Sequence, residues 1–230
     1  MIFNQFFDNV SSTFTYLISS GKGREALIID PVLENTNDYI LYLKKLDLKL
    51  VKVIDTHIHA DHVSGLKELH KQTDCAVIMG EKSLSEVVTI KVGDNEKIKI
   101  ENIELTSMYT PGHTDCSYSF LMNDRIFTGD TLLINGTGRT DFQNGNPIDQ
   151  YHSLFNKILK LPEKTLVYPA HDYKGNKVST IGQEKKNNPR LRVDSAEQYA
   201  ELMNSLNLEN PKMMDVAVPA NIKGHTSDQL

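Results

Sequence analysis

Three histidines and one aspartate fall within six residues in Thr56-His57-Ile58-His59-Ala60-Asp61-His62, directly after the short β-branched run Leu50–Ile54. In an extended segment, residues two apart face the same way, so His57, His59 and Asp61 can converge on one point. A helix opening at Val63 would swing His62 to a neighbouring position. Neutral imidazoles and carboxylates are good ligands for Zn, Fe or Mn. The chain has eight histidines in all, and three of them gather in this one loop. Metal binding accounts for that clustering; a merely solvated polar loop does not.

Three more segments offer ligand-type residues. Thr110-Pro111-Gly112-His113-Thr114 puts a histidine in a tight turn. Phe127-Thr128-Gly129-Asp130-Thr131 puts a carboxylate at the end of a strand beside a permissive glycine. Tyr168-Pro169-Ala170-His171-Asp172-Tyr173 ends another strand on a histidine. Each alone is weak, because a single His or Asp at a strand end is commonly structural. With the His57–His62 loop, however, the same arrangement occurs four times, and loops leaving strands are where α/β enzymes build their sites. His70 and His152 fall on expected helices and read as surface or packing residues, and His225 as tail. Cys116, three residues after His113, reads as a small buried residue opening the next strand.

The elements that must hold these loops alternate in type. Thr13–Ser19 and Glu25–Asp30 form a strand pair around Gly21-Lys22-Gly23. Asp38–Leu46 has helical spacing, Leu50–Ile54 is a strand, and Val63–Gln72 a helix. Cys75–Met79, Ile98–Ile100 and Ile103–Leu105 are further strands, and Ser117–Met122 with Arg125–Thr128 makes a hairpin across Asn123-Asp124. A Gly-rich loop, Asn135–Gly145, leads to a helix over Asp149–Lys160, a strand at Leu166–Tyr168 and a late helix at Ser195–Ser205. Many strands sit in hairpins, so two mixed sheets covered by helices suit the pattern better than one parallel sheet.

At 230 residues with 39% hydrophobic and 24% charged residues, the chain has ordinary globular composition and length for one large domain. We expect a single domain over 1–230, with about 175–230 packing as a short helical extension. The formal net charge of -5, without a long basic run, argues against nucleic acid as a partner. No run approaches the roughly 20 apolar residues that span a bilayer. Met1–Ser20 contains no Lys or Arg, and the two cysteines, Cys75 and Cys116, form no CxxC pair. A cytoplasmic protein with free thiols is expected.

The order THxHADH, GHT, GD and a late histidine after a strand resembles the metallo-β-lactamase superfamily, which implies an α/β fold, an αββα sandwich of two mixed sheets flanked by helices. On the template of its two-metal hydrolases, His57, His59 and His113 would hold one metal, Asp61, His62 and His171 the other, with Asp130 bridging. The segments FTGDTLLINGTGRTDF, YPAHDYKG, TFTYL, IDPVLE and DVAVPAN, with Asn188-Pro189-Arg190-Leu191, more closely resemble the persulfide dioxygenases. That resemblance implies oxidation of glutathione persulfide by O₂ to sulfite, releasing glutathione, with one Fe(II) per chain held by His57, His113 and Asp130. His59, Asp61, His62 and His171 would then orient those three. It also implies substrate contacts from Arg139 and Tyr173, with Arg190 a further candidate, and it allows a homodimer. The alternative is a glyoxalase II-like glutathione thioester hydrolase with a binuclear Zn, Fe or Mn centre. All seven ligand positions are retained, so the ligand set does not separate the two; the surrounding segments favour the dioxygenase. The chain departs from the common GHTPG pattern at Asp115-Cys116, next to His113, which leaves the ligand in place.

Overall fold

The computed structural model describes residues 1–209 and 213–229. Its strands are β1 (Ile2–Asp8), β2 (Thr13–Ser19), β3 (Glu25–Ile29), β4 (Lys49–Ile54), β5 (Ala76–Gly80), β6 (Ile90–Val92), β7 (Lys97–Ile100), β8 (Ile103–Tyr109), β9 (Tyr118–Leu121), β10 (Arg125–Gly129), β11 (Leu166–Pro169) and β12 (Ser179–Thr180). The helices are α1 (Thr36–Lys45), α2 (Leu66–Thr73), α3 (Pro147–His152), α4 (Ile181–Asn187), α5 (Ala196–Asn204) and α6 (Met214–Lys223). The described residues fall into two compact units: 1–92, 97–104 and 213–229 form the first, and 93–96 and 105–209 the second.

The first unit is built on a sheet in the order β1-β2-β3-β4-β5-β6. β1, β2 and β3 pair antiparallel, whereas β3, β4, β5 and β6 run parallel. Every residue of β2 is buried, which suits its continuous run of Thr, Phe, Tyr, Leu and Ile. β4 ends with Val53 and Ile54 fully buried, so the chain leaves the sheet from a fixed point into the His57–His62 loop. The expected strand pair, the α1 helix and β4 are present. β1 was not anticipated: its half-buried IFNQFFD has no clean alternation, and it pairs with β2 from Ile2 opposite Ser19 to Asp8 opposite Thr13.

The helix expected from Val63 begins only at Leu66. The three preceding residues have other partners. Val63 O accepts from Leu33 N–H at 2.9 Å, Gly65 N–H donates to Pro31 O at 2.7 Å, and Ser64 bridges Val32. A backbone committed to these loop bonds is unavailable for a helical turn.

In the second unit, β8, β9 and β10 follow one another antiparallel, β11 joins β10 in parallel, and β12 closes antiparallel on β11. The β9–β10 hairpin turns at Asn123-Asp124 as its sequence indicates, with Met122 N–H donating to Arg125 O at 2.8 Å. The helical stretch after the Gly-rich loop changes geometry, from α3 to a π-helical turn at Ser153–Lys157 and a 3₁₀ turn at Ile158–Lys160. It buries Leu154 and Ile158 against Ile126, Val167 and Tyr199. Each such side chain contributes roughly 1.5–3 kcal/mol when fully buried.

Candidate metal centre

Within the first unit, the loop after β4 carries His57, His59, Asp61 and His62, with the three histidines buried. Asp30, at the end of β3, organises its start. The Asp30 backbone has a φ of 50°, unusual for a residue with a side chain. This turns its carboxylate toward the loop: Oδ1 accepts from Thr56 N–H at 2.7 Å and Oδ2 from the Thr56 hydroxyl at 3.1 Å. A hydroxyl has one proton, so with that proton given to Asp30 the Thr56 oxygen accepts from His57 Nδ1–H at 3.0 Å. The Nε2 of His57 is thereby left with its lone pair, the form that binds a metal.

His59 Nε2 lies 3.2 Å from Asp30 Oδ1, and His59 Nδ1 lies 3.9 Å from Asp61 Oδ1. Burial by itself draws His59 down, but the hydrogen bond and charge of Asp30, with the charges of Asp55 and Asp61, push it up to about 9. Asp55 is pushed up to about 7, chiefly by burial. His62 Nδ1–H donates to Asp61 Oδ2 at 2.9 Å, and the Thr13 hydroxyl reaches the same oxygen at 3.2 Å. In each of two groups in this unit, His59-Asp61-His62 and Asp30-Asp55-His59, one ligand atom from every residue lies within 4.8 Å of the others.

In the second unit, His113 and His171 converge on one carboxylate oxygen. His113 Nε2 is 3.5 Å and His171 Nε2 3.8 Å from Asp130 Oδ2. A backbone carbonyl can only accept, so the 2.7 Å contact from His113 Nδ1 to Arg139 O fixes the proton on Nδ1. Nε2 of the neutral ring and Asp130 Oδ2 are then two acceptors facing each other, an arrangement that suits a cation. Asp130 Oδ1 is buried and has no hydrogen-bond partner among the described residues, a costly state for a carboxylate unless a positive charge offsets it. This donor set fits a metal of the kind the residues suggest.

The Gly-rich loop locks that geometry. Gly138 N–H donates to Asp130 O at 2.7 Å, and a Cβ at Gly138 would stand 2.2 Å from that oxygen and 2.8 Å from His113 Nδ1. Gln150 Nε2 donates to Gly138 O at 3.2 Å, and the buried Tyr199 hydroxyl lies 2.8 Å from Gln150 Oε1.

The residues expected to meet substrate occupy three settings, all in the second unit. Arg139 makes a two-pronged pair with Asp141 at 2.7 and 2.8 Å, and its guanidinium lies 4.3 Å over the Phe142 ring. Its Nη1–H also reaches Glu209 O at 2.6 Å. The hydrogen bonds from Arg139 hold Asp141 below the usual carboxylate range. Tyr173 is 70% exposed and stacks on His171 with ring centroids 6.0 Å apart. Arg190 is partly buried and donates to Thr137 O in the Gly-rich loop.

Sequence reasoning gave no role to Asp30, Thr13 or Thr56. Their roles come from contacts made across many residues; the one local signal is Asp30-Pro31 at a strand end, a place for a fixed turn.

The sequence model of the metallo-beta-lactamase superfamily matches residues 8–89 and 83–171. The chain is 41% identical over 226 residues to a mouse (Mus musculus) protein named "Persulfide dioxygenase ETHE1, mitochondrial", covering 97% of this chain and 88% of the relative. A hydroxyacylglutathione hydrolase of Dictyostelium discoideum is more distant, 34% identical over 171 residues, covering 70% of this chain and 62% of that protein. Among solved structures, ETHE1 from Myxococcus xanthus superposes with a TM-score of 0.95 at 45% identity, covering 98% of this chain and all of that one. The two mixed sheets flanked by helices therefore have the metallo-β-lactamase fold.

Proposed function

The chain belongs to the metallo-β-lactamase superfamily and, within it, to the persulfide dioxygenases, and from that premise we propose that it oxidises glutathione persulfide with O₂, using one ferrous ion held by His57, His113 and Asp130. The observation that carries the reading is the strength of the likeness. Identity to the persulfide dioxygenase is 41% over 226 residues, against 34% over 171 residues to the hydroxyacylglutathione hydrolase.

Ferrous iron, when bound, supplies the one-electron chemistry that lets triplet dioxygen react with closed-shell sulfur. The chain's own residues do the rest. Thr56 and the Arg139 carbonyl hold the Nδ1 protons of His57 and His113, so that each ring presents a lone pair at Nε2. Asp130 adds negative charge. Two histidines and one carboxylate would be a donor set suited to holding ferrous iron. His59, Asp61, His62 and His171 are assigned to orienting these three.

Arg139 is assigned to a glutathione carboxylate, for which its planar fork is suited; in the free protein the Asp141 carboxylate occupies that fork. Tyr173, which is exposed, is likewise assigned to glutathione. Arg190 is the third candidate; its bond to Thr137 O braces the loop that carries Arg139.

In the overall reaction both oxygens of O₂ pass to the terminal sulfur, which with its neighbour gives up four electrons. One water then cleaves the S–S bond, releasing sulfite and the glutathione thiol.

No described helix is long and apolar enough to cross a membrane. We assign the activity to the cytoplasm, supported by two buried cysteines, Cys75 and Cys116, that form no disulfide among the described residues and so suit a reducing compartment. The mouse relative is named as mitochondrial, so fractionation of the native cells decides the compartment. A homodimer, with no nucleic-acid partner, completes the proposal, and light scattering measures the oligomeric state.

The deciding experiment is oxygen uptake by the iron-reconstituted protein given glutathione persulfide, with metal content counted in parallel. Uptake with sulfite formed and about one iron per chain is the expected result. No uptake, with a binuclear centre and hydrolysis of a glutathione thioester, would overturn it in favour of the hydrolase.

A further inference from the structure

The His57–His62 loop has no strand or helix to satisfy its backbone, yet it is largely buried. Buried N–H and C=O groups need partners. Two of the loop's carbonyls, with the Ser64 N–H just beyond it, find one side chain. Asn221, on α6, donates through Nδ2 to His59 O at 2.9 Å and to His62 O at 3.0 Å, and its Oδ1 accepts from Ser64 N–H at 2.8 Å. Both amide protons and the amide oxygen are thus committed to the ligand-bearing loop, across a sequence separation of up to 162 residues.

The helix that presents Asn221 is itself fixed. Asn221 O accepts from the Ser85 hydroxyl at 2.8 Å, and Ile222 O accepts from Glu86 N–H at 2.7 Å. Ala217 and Ala220 pack on Leu33 and Val63, the latter immediately after His62. α6 ends at Gly224 with φ 69°, where a Cβ would stand 1.8 Å from Val87 Cγ1. The clip therefore has a rigid base, and α6 lies beyond the residues matched by the superfamily model, which end at 171.

We propose that Asn221 is a positioning residue for the metal centre: it fixes the His59 and His62 carbonyls and so sets the directions of His57, His59, Asp61 and His62. The inference rests on the reading of this loop as metal-binding. Asn221 touches the loop's backbone and none of its imidazoles, so its effect is on metal affinity and not on substrate contact.

Asn221→Asp tests this with almost no change in size. The carboxylate still accepts from Ser64 N–H but faces two carbonyl oxygens with no proton to give. The readouts are Fe(II) and Zn(II) affinity, by competition with a chelator, and thermal unfolding of the metal-free protein. The control is Ala217→Gly, which weakens the same helix without touching the clip.

We expect both metals to bind about 10–100-fold more weakly in N221D, with KM for glutathione persulfide unchanged and the affinity of A217G close to that of the unsubstituted protein. Unchanged metal affinity in N221D overturns the proposal. So does an equal loss in A217G at matched metal-free stability, which would make the contact structural only. If N221D does not fold, Asn221→Ser, which keeps one donor and one acceptor, carries the same comparison. Failure of the dioxygenase reading would show instead as absent oxygen uptake in the unsubstituted protein.

Discussion

Gly138→Ala is the substitution whose consequence follows most directly from the geometry. An added Cβ would meet Asp130 O at 2.2 Å and His113 Nδ1 at 2.8 Å, and the first contact is about an ångström shorter than atoms of these sizes tolerate. Neither neighbour is a flexible side-chain end, so the Gly-rich loop must move. A shift of that size breaks the 2.7 Å bond from Gly138 N–H to Asp130 O and the 2.7 Å bond from His113 Nδ1 to Arg139 O. Two hydrogen bonds contribute roughly 0.5–1.5 kcal/mol each, and overpacking adds about 1–3 kcal/mol. The expected destabilisation is thus about 2–6 kcal/mol, a fall in Tm of roughly 4–24 °C for a chain of this size.

Loss of the Arg139 carbonyl also frees the His113 ring to rotate, so metal affinity should drop about 10–100-fold. Gly136→Ala is the internal control, because the nearest atom to its added Cβ is 3.9 Å away; it should cost no more than about 0.5 kcal/mol. Thermal unfolding and chelator competition on the two variants measure both effects. A G138A protein with Tm and metal affinity matching G136A would refute the claim that close approach at Gly138 fixes His113 and Asp130.

Asp130→Asn removes the charge from the carboxylate that faces His113 and His171. Ferrous affinity should fall by more than the roughly 10–100-fold typical of orienting partners, and oxygen uptake with it; retained iron in the purified variant would count against Asp130 as a ligand. Arg139→Ala should raise KM for glutathione persulfide by roughly 10–100-fold, the worth of a charge-assisted bond, while kcat changes little; steady-state kinetics separate the two. Tyr39 is buried, with its hydroxyl 2.9 Å from Thr15 Oγ1, and burial pushes it up to about 12. The unfolded chain ionises this phenol near pH 10 and the folded chain near 12, so stability should decline as pH rises through that window, by up to roughly 3 kcal/mol. Tyr39→Phe should flatten that part of the stability profile, and an unchanged alkaline slope would show that Tyr39 does not govern it.

The sequence by itself determined the strand-then-loop placement of His57, His113, Asp130 and His171, because hydrophobic runs and turn residues act over short range. β4, the β9–β10 hairpin and α5 lie close to where periodicity put them. The same local logic misplaced the start of α2 and missed β1. Val63 and Gly65 bond to residues some thirty positions earlier, and β1 gains its order from β2 rather than from its own pattern.

What only tertiary structure decided is the support of the ligands. Asp30 meets Thr56 across 26 residues, the Arg139 carbonyl meets His113 across 26, and Asn221 meets His59 across 162. A ligand's identity is written at its own position. Its direction and tautomer are set by whichever acceptor the fold brings to its other nitrogen or its backbone. No local propensity encodes that acceptor, since an Asn on a helix or an Asp at a strand end looks ordinary until the chain has closed around it.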